Sequence, residues 1–498
     1  MDTRTTTIIV IFLVYMAFIL GYGLWTQKGK KHTSQDFLLA GGKVNRVHLM
    51  LHNLGTAFGG SDFFSMCYYG FVFGIAGMHW ILPWFLVTII LAKFMVPRIK
   101  IMAGNDVFAM SQWFAKAWNG NKTIEVLVGI ASFVMSWAFF CAQITAMGKM
   151  VSVLIGIDSR VGILIGTIVV VTYVFVGGYG ATIKMDTIQS VILILGVLAI
   201  FGYAAYNIST VPASEVIRLS PEYFTIMSSM APLTVLNMWI SRGTGNGFLK
   251  PYVHQQIYAA ANAETAQKGI LRGNLIAFLG AVVLIGAGML LAKVIPVASV
   301  EDPESIIPFF LKNYVNAVPA GLILAGIFAG ILSSADSMLV STVNLWTGSL
   351  VSLWDKDVLN NDERRVKVAK FSVVLWGFLG IIVVLWVPSV VTLTLRGASF
   401  VVTLVPALFA TIFFRRQVDV KVVIASIGSG FISVLLFYLI PQLSAVPEGG
   451  AFPSLCIATA VMVVGALAVK KTDPVVEFPE LDAYEAKRSS KGCVKAVN

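Results

Sequence analysis

From Thr7 to Lys470 the chain alternates between apolar runs near or above the roughly 20 residues that cross a bilayer as helix and short charged or turn-rich breaks. The pattern predicts thirteen helices, near residues 7–25, 47–70, 76–98, 124–155, 161–178, 186–207, 226–248, 270–296, 317–352, 366–387, 390–414, 421–441 and 452–470. The fold class expected is therefore all-α and integral to a membrane, as one bundle. Ile8–Leu24 follows Arg4 as a signal peptide would, but no small-residue cleavage site comes after it and five Lys/Arg lie just beyond, so it reads as a retained first span.

Composition agrees: 57% of residues are hydrophobic and mean hydropathy is +0.83, more apolar surface than a soluble core can use. The net charge of +11 is explained by topology rather than by nucleic acid. With the N-terminus outside, one set of loops collects Lys28, Lys30, Lys31, Lys43, Arg46, Arg98, Lys100, Arg364, Arg365, Arg415, Arg416, Lys470 and Lys471, and the opposite set collects few. This asymmetry predicts an outside N-terminus, a cytoplasmic C-terminus and an odd number of spans. The basic tail after Lys471 is expected to be disordered or to lie along the anionic inner leaflet. Cys67, Cys141, Cys456 and Cys493 form no close-spaced pair, which indicates neither a disulfide framework nor a zinc site.

Two spans carry glycine-rich polar interruptions, Gly55-Thr-Ala-Phe-Gly-Gly-Ser-Asp62 in the second and Ser241-Arg-Gly-Thr-Gly-Asn-Gly247 near the end of the seventh. Backbone unwound in mid-membrane survives only beside a cavity, an ion or other protein. The breaks stand five spans apart, an odd number, so two five-helix units beginning at them would be inverted relative to one another. That is the layout of a transporter with a midplane binding site. The plainer alternative is that the glycines allow close helix packing.

The ninth span reads Ala329-Gly-Ile-Leu-Ser333-Ser334-Ala-Asp336-Ser337, several oxygens in an otherwise apolar helix. Ser333 and Ser337 share a face and Ser334 lies about 100° around. Hydroxyls there can meet carbonyls freed by the first break and form a dry cation site, whereas a lone serine would bond back to its own helix. Asp186 at the start of the sixth span and Asp336 in the ninth are costly unless paired, hydrated or bound to a cation; an ion pair with Lys184 or a helix N-cap is the plainer role for Asp186. Asp62 can cap the outer half of the second span. His79, Trp80, Trp84, Trp137, Phe140 and Gln143 suit a solute pocket. Lys250 favours a carboxylate-bearing solute, while Arg396 reads as an interfacial snorkelling residue. No Walker loop, HExxH or nucleophile elbow is present in the sequence, and no enzyme is expected.

Gly177-Gly-Tyr-Gly-Ala-Thr-Ile-Lys-Met-Asp186-Thr-Ile-Gln189 and Ser333-Ser-Ala-Asp-Ser-Met338 resemble the GG-x-x-A-x-x-x-T-D-x-x-Q and SS-x-x-S-M motifs of the sodium/solute symporter family, the carriers of sugars, proline, pantothenate and sialic acid. Weaker likenesses are Phe37-Leu-Leu-Ala-Gly41, Ala142-Gln143 with Gly148, and Pro251 to Gln255 followed by Glu264-Thr-Ala-Gln-Lys-Gly269, and the whole covers about Thr7 to Lys470. Met185 stands where the family has Thr, and Gln256 where it commonly has Arg. The resemblance implies a leucine-transporter-type fold: a first helix and loop over 1–46, inverted repeats over 47–207 and 208–418, two further helices over 419–471 and a tail over 472–498. It also implies sodium held by Gly55, Phe58, Gly330, Ser333 and Ser334, and a second cation at Asp186, Asp336 and Ser337. The implied solute pocket comprises Gly59, Ser61, Asp62, His79, Phe139, Gln143, Lys250 and Tyr252.

The function expected is a symporter of the inner membrane that uses the inward sodium gradient to import a small organic solute, with no cofactor beyond sodium. Its expected partners are sodium, solute and membrane lipid, with no nucleic acid, in a monomer or weak oligomer. A proton-coupled carrier of the same fold is the nearest alternative, ahead of a channel or a membrane sensor.

Overall fold

The structure is a computed structural model that describes the chain apart from residues 1, 31, 228–229, 231, 388, 441–449 and 496–498, and apart from the side chains of 61, 233, 237, 241, 245, 246, 391 and 489–495. Among the described residues the regular structure is helical, with one isolated parallel bridge between Val44 and Ala260. Among the described residues nine helices are long and apolar enough to span a membrane, and a tenth is the pair Thr392–Val402 and Val405–Phe414, bent by 46°. The number differs from thirteen because the expected spans fuse or break. Asp62–Ala103 joins the outer part of the second span to the third, and Ser159–Thr210 contains the fifth and sixth.

Ser159–Thr210 has 52 residues, about 78 Å at 1.5 Å per residue, far beyond a hydrocarbon core of about 30 Å. It turns at Gly178, where φ is 54° and ψ −148° and where the carbonyl and ring of Phe37 lie against the Cα. Only glycine takes that backbone without strain. Asp186 therefore sits well inside a helix that begins at the turn and is fully buried, not at an interfacial N-cap beside Lys184.

The first break falls where the glycine run predicts. One helix runs Arg46–Ala57, Phe58 and Gly59 leave helical geometry, and a second runs Gly60–Phe73. Its cap is Gly59, whose carbonyl accepts the N–H groups of Asp62 (2.9 Å) and Phe63 (3.0 Å), so Asp62 does not cap the helix. The other break lies later than predicted. Ser241–Gly245 is a widened helical turn rather than an interruption, helix continues through Asn246–Phe248, and the backbone leaves helix at Leu249 and Lys250 before Pro251–Ala259. Pro251 explains the position, because it disfavours helical geometry in the residue before it and brings no N–H.

The two broken helices are tied together along their length. Val44 donates to the carbonyl of Ala259 (3.0 Å) and accepts from Ala261 (3.1 Å). Buried Gln256 accepts from Asn53 (2.8 Å) and donates to the Thr56 hydroxyl (3.0 Å). Arg242 donates to Asp62 at 2.8 Å. Behind them Ala317–Leu345, buried almost throughout, packs against Ser159–Thr210, Lys122–Ile155 and Arg46–Ala57.

Over its described residues the tail is docked on the bundle rather than disordered. Pro479–Lys495 is a helix, with Pro479 at its first position and Glu480 and Asp482 in its first turn. Leu481 is fully buried, and Arg416–Glu477 (2.7 Å) and Arg98–Glu485 (2.9 Å) tie the segment to the bundle. Asp419 anchors the preceding linker: its carboxylate accepts the N–H of Lys421 (2.9 Å) and the N–H and hydroxyl of Thr472 (both 2.8 Å), which hold it below the usual carboxylate range. A carboxylate depressed in this way stabilises the fold above its ordinary pKa near 4, and that stability is lost as pH falls through the depressed value. Asp419→Ala is expected to speed tryptic cleavage after Lys471 at neutral pH; a rate equal to wild type would contradict the anchor.

Candidate functional site

The serine helix presents its oxygens to the first break. Ser334 Oγ lies 3.3 Å from the carbonyl oxygens of both Gly55 and Thr56. Ser333 Oγ stands so close to the Cα of Gly55 that no side chain would fit there, and the Ser190 hydroxyl is adjacent. The carbonyl of Phe58 points at Gly330, where a Cβ would meet it at 2.6 Å. Gly55, Phe58, Gly330, Ser333 and Ser334 are thus brought into one dry, oxygen-rich spot at the place where the helix carbonyls are released.

Asp186, Asp336 and Ser337 also converge, in the layer between the serine helix and Ser159–Thr210. Asp336 Oδ2 accepts the Tyr173 hydroxyl at 2.8 Å. Ser337 Oγ lies 3.0 Å from the Ser333 carbonyl and 3.3 Å from Asp336 Oδ1. His52 Nδ1 bonds Asp186 Oδ2, and His52 Nε2 bonds the Tyr179 hydroxyl at 2.7 Å. Every one of these side chains is buried.

On the other side of the first break, the Gln143 side chain accepts the N–H of Gly60 at 2.5 Å and covers Gly59. Arg242 stacks on Trp80, 4.1 Å from the ring centroid, as it pairs with Asp62. Lys250, at the second break, is buried with its ammonium 5.6 Å from the ring centroids of both Trp84 and Tyr252, and no carboxylate pairs with it among the described residues. Phe139 packs 6.5 Å from Tyr252 between ring centroids. The cavity between the breaks, lined by Asn53, Thr56, Trp84, Lys250 and Tyr252, is small, about 10 Å³.

His79 is placed differently from the expectation. Its Nε2 bonds the carbonyl of Ile226 at 2.7 Å and its Nδ1 accepts from Trp239 at 3.1 Å, so both ring nitrogens are engaged by the seventh-span segment. The Ser61 side chain lies outside the described residues. Trp137 donates to the Trp376 carbonyl at 3.0 Å and Phe140 is fully buried, both as packing residues, while exposed Arg396 lies over the ring of Tyr438.

Four contributors escaped the sequence reading: His52, Tyr179, Arg242 and Gln256. Their importance lies in partners more than 120 positions away, at Asp186, at His52, at Asp62, and at Asn53 and Thr56. A polar residue in a membrane helix is itself a signal, and His52 and Arg242 met that test.

Apolar helices broken in mid-bundle around oxygen-rich, water-poor spots define a multi-pass membrane transporter. The sequence profile of the sodium:solute symporter family matches residues 37–438, and the chain belongs to that family. It is therefore a transporter rather than an enzyme, and its activity is sodium-coupled solute symport. The solved structure of a sodium-coupled sialic acid symporter, substrate-bound and outward-open, is similar over 94% of this chain and 99% of its own, with TM-score 0.75 and 16% identity. A manganese transporter of Eremococcus coleocola is similar over 88% of this chain and 97% of its own (TM-score 0.53, 13% identity). A nucleobase-cation-symport-1 family transporter, closed with bromovinylhydantoin bound, is similar over 86% and 94% (TM-score 0.52, 13% identity). At these identities the likeness is one of fold, and it agrees with the leucine-transporter-type architecture.

Proposed function

We propose that this carrier imports a small carboxylate-bearing solute into the cell, driven by inward sodium flow across the inner membrane. On this reading the chain crosses the membrane thirteen times, with the N-terminus outside and two inverted repeats over 47–207 and 208–418. Gly55, Phe58, Gly330, Ser333 and Ser334 hold the sodium. Gly59, Asp62, Phe139, Gln143, Lys250 and Tyr252 surround the solute. The observation that carries the sodium reading is Ser334 Oγ at 3.3 Å from two carbonyls of the broken helix, beside the Phe58 carbonyl seated against Gly330. The solute class rests on Lys250, a buried cation without a carboxylate partner among the described residues, next to the Asp62–Arg242 pair.

Rocking of one helix group against the other would open this midplane site to each side in turn. Each sodium moved inward gains about 2.3 kcal/mol per 100 mV. Where sodium strengthens solute binding, the solute strengthens sodium binding by the same factor, because coupling free energies are reciprocal.

Melting of the purified protein in sodium, at constant ionic strength against potassium, tests the reading. Sodium is expected to stabilise it, and Ser334→Ala to weaken apparent sodium affinity about 10-fold, the worth of one ligand contact to a charge. Identical sodium titrations for the two proteins would refute the site. A proton-coupled cycle through the His52–Asp186 pair is the second reading; uptake driven by a pH jump in sodium-free buffer would favour it.

A further inference from the structure

On the side where the basic loops gather, four segments enclose a hollow of about 480 Å³ that the transport site does not use. They are the end of the first helix, the short helix Ser34–Leu39 with the loop before it, the start of Arg46–Ala57, and the helix just past the Gly178 turn. The walls carry Lys30, Lys43, Lys184, His32 and His48 against one carboxylate, Asp36. That carboxylate is already committed: it accepts the Thr33 N–H (3.2 Å) and hydroxyl (2.7 Å) in the capping box that starts the short helix. None of the three lysines forms an ion pair among the described residues. Lys30 turns its ammonium onto the Thr26 carbonyl at 2.5 Å, which leaves further N–H donors on that group. Loop asymmetry accounts for basic residues on one side of a membrane protein, but not for three lysines from separate segments gathered around one hollow.

We propose that this hollow is a binding site for the phosphate headgroup of an anionic membrane phospholipid. Three ammonium groups and a histidine edge against one engaged carboxylate suit a phosphate oxyanion, and basic pockets between membrane helices recognise such headgroups. The depth points to a lipid rather than a free anion. Trp25, just before Lys28 and Lys30 on the first helix, is exposed, as an aromatic at the membrane–water boundary is. Lys184 shares one helix face with Val191, Leu195 and Leu198, all exposed and recurring at helical spacing. The rise from Lys184 to Leu195 is about 16 Å at 1.5 Å per residue, close to half of a hydrocarbon core of about 30 Å. A headgroup at Lys184 therefore has an apolar track of one leaflet's depth beneath it. At its end Leu195 joins Val14 and Phe18 in lining an apolar groove between the first helix and this one. The occupied site would brace the inner end of the first broken helix, where His48 already bonds the Thr187 hydroxyl at 2.8 Å. The choice of the cytoplasmic leaflet rests on the orientation proposed above; the binding itself does not.

The test uses the full chain in detergent, with phosphatidylglycerol or phosphatidylcholine of the same acyl chains added in mixed micelles, and sodium phosphate alone as a third arm. Melting and the lipid retained in native mass spectrometry are the readouts. Phosphatidylglycerol is expected to stabilise the protein and to be retained, phosphatidylcholine to do so much less, and phosphate alone to have no effect. Replacing Lys30, Lys43 and Lys184 together by Gln is expected to weaken the apparent affinity for phosphatidylglycerol at least 10-fold. Its melting in phosphatidylcholine should equal wild type, which separates lost binding from a fold defect. Replacing Lys356, Lys367 and Lys421 by Gln removes the same charge from positions outside the hollow and should leave the affinity unchanged. Equal losses in the two triple variants would overturn the proposal by reducing the effect to general charge. Equal stabilisation by the two lipids would overturn it as well, and stabilisation by phosphate alone that matches phosphatidylglycerol would assign the hollow to a free anion instead. None of these outcomes depends on sodium or on the transported solute, so failure here leaves the transport reading standing.

Discussion

Gly330→Ala is expected to weaken apparent sodium affinity about 100-fold. The added Cβ would stand 2.6 Å from the Phe58 carbonyl oxygen and 2.9 Å from the Phe63 ring, and neither has room to retreat. Phe58 belongs to the two-residue break itself, and Phe63 is fully buried in the helix that follows. Overpacking of this kind costs about 1–3 kcal/mol. Here it falls on the coordinate that matters, since relief requires the Phe58 carbonyl to leave the spot where Ser333, Ser334 and the Gly55 carbonyl converge. A melting temperature close to wild type in potassium with a much reduced response to sodium would locate the damage at the site. A sodium titration equal to wild type would show that this carbonyl does not bind the ion.

The second large effect concerns the pair that joins the two broken helices. Arg242 and Asp62 have side chains only 5% and 14% exposed and meet at 2.8 Å, with the guanidinium on the Trp80 ring. Removing one partner of a buried pair leaves the other uncompensated, at a cost of about 3 kcal/mol. Arg242→Gln or Asp62→Asn is expected to abolish solute-dependent stabilisation, and the double variant is expected to be less damaged than the sum of the singles, with a coupling of at least about 2 kcal/mol by melting. Additive losses would mean that the pair does not hold the two broken helices in register.

Much of this was legible in the chain because bilayers impose length and satisfied backbone, and both leave marks in hydropathy. The apolar runs, the glycine run around Gly59 and the dense hydroxyls from Ser333 to Ser337 all carry local signals. The second break was misplaced because Ser241–Gly247 has the composition of an interruption yet keeps helical bonding as a widened turn, whereas Pro251 marks the true one. His79 looked like a pocket residue, but its neighbours Ile226 and Trp239 come from a segment whose path no periodicity reveals. The expectation of a basic, disordered tail missed that residues 472–498 hold five Asp/Glu against four Lys/Arg and that Pro479 with Glu480 and Asp482 signals a helix start. The pairing of His52 with Asp186 joins positions 134 apart, a relation of packing that spacing along the chain does not encode.

Solute uptake by proteoliposomes under an imposed sodium gradient tests the central claim most directly. A metabolite screen by melting, with and without sodium, first supplies the solute, which is expected to stabilise the protein more when both are present. An inward sodium gradient is expected to drive this solute above its external concentration, an equal gradient of choline is not, and Gly330→Ala is expected to lose the accumulation at the same sodium concentration. Accumulation of equal size in choline would contradict it.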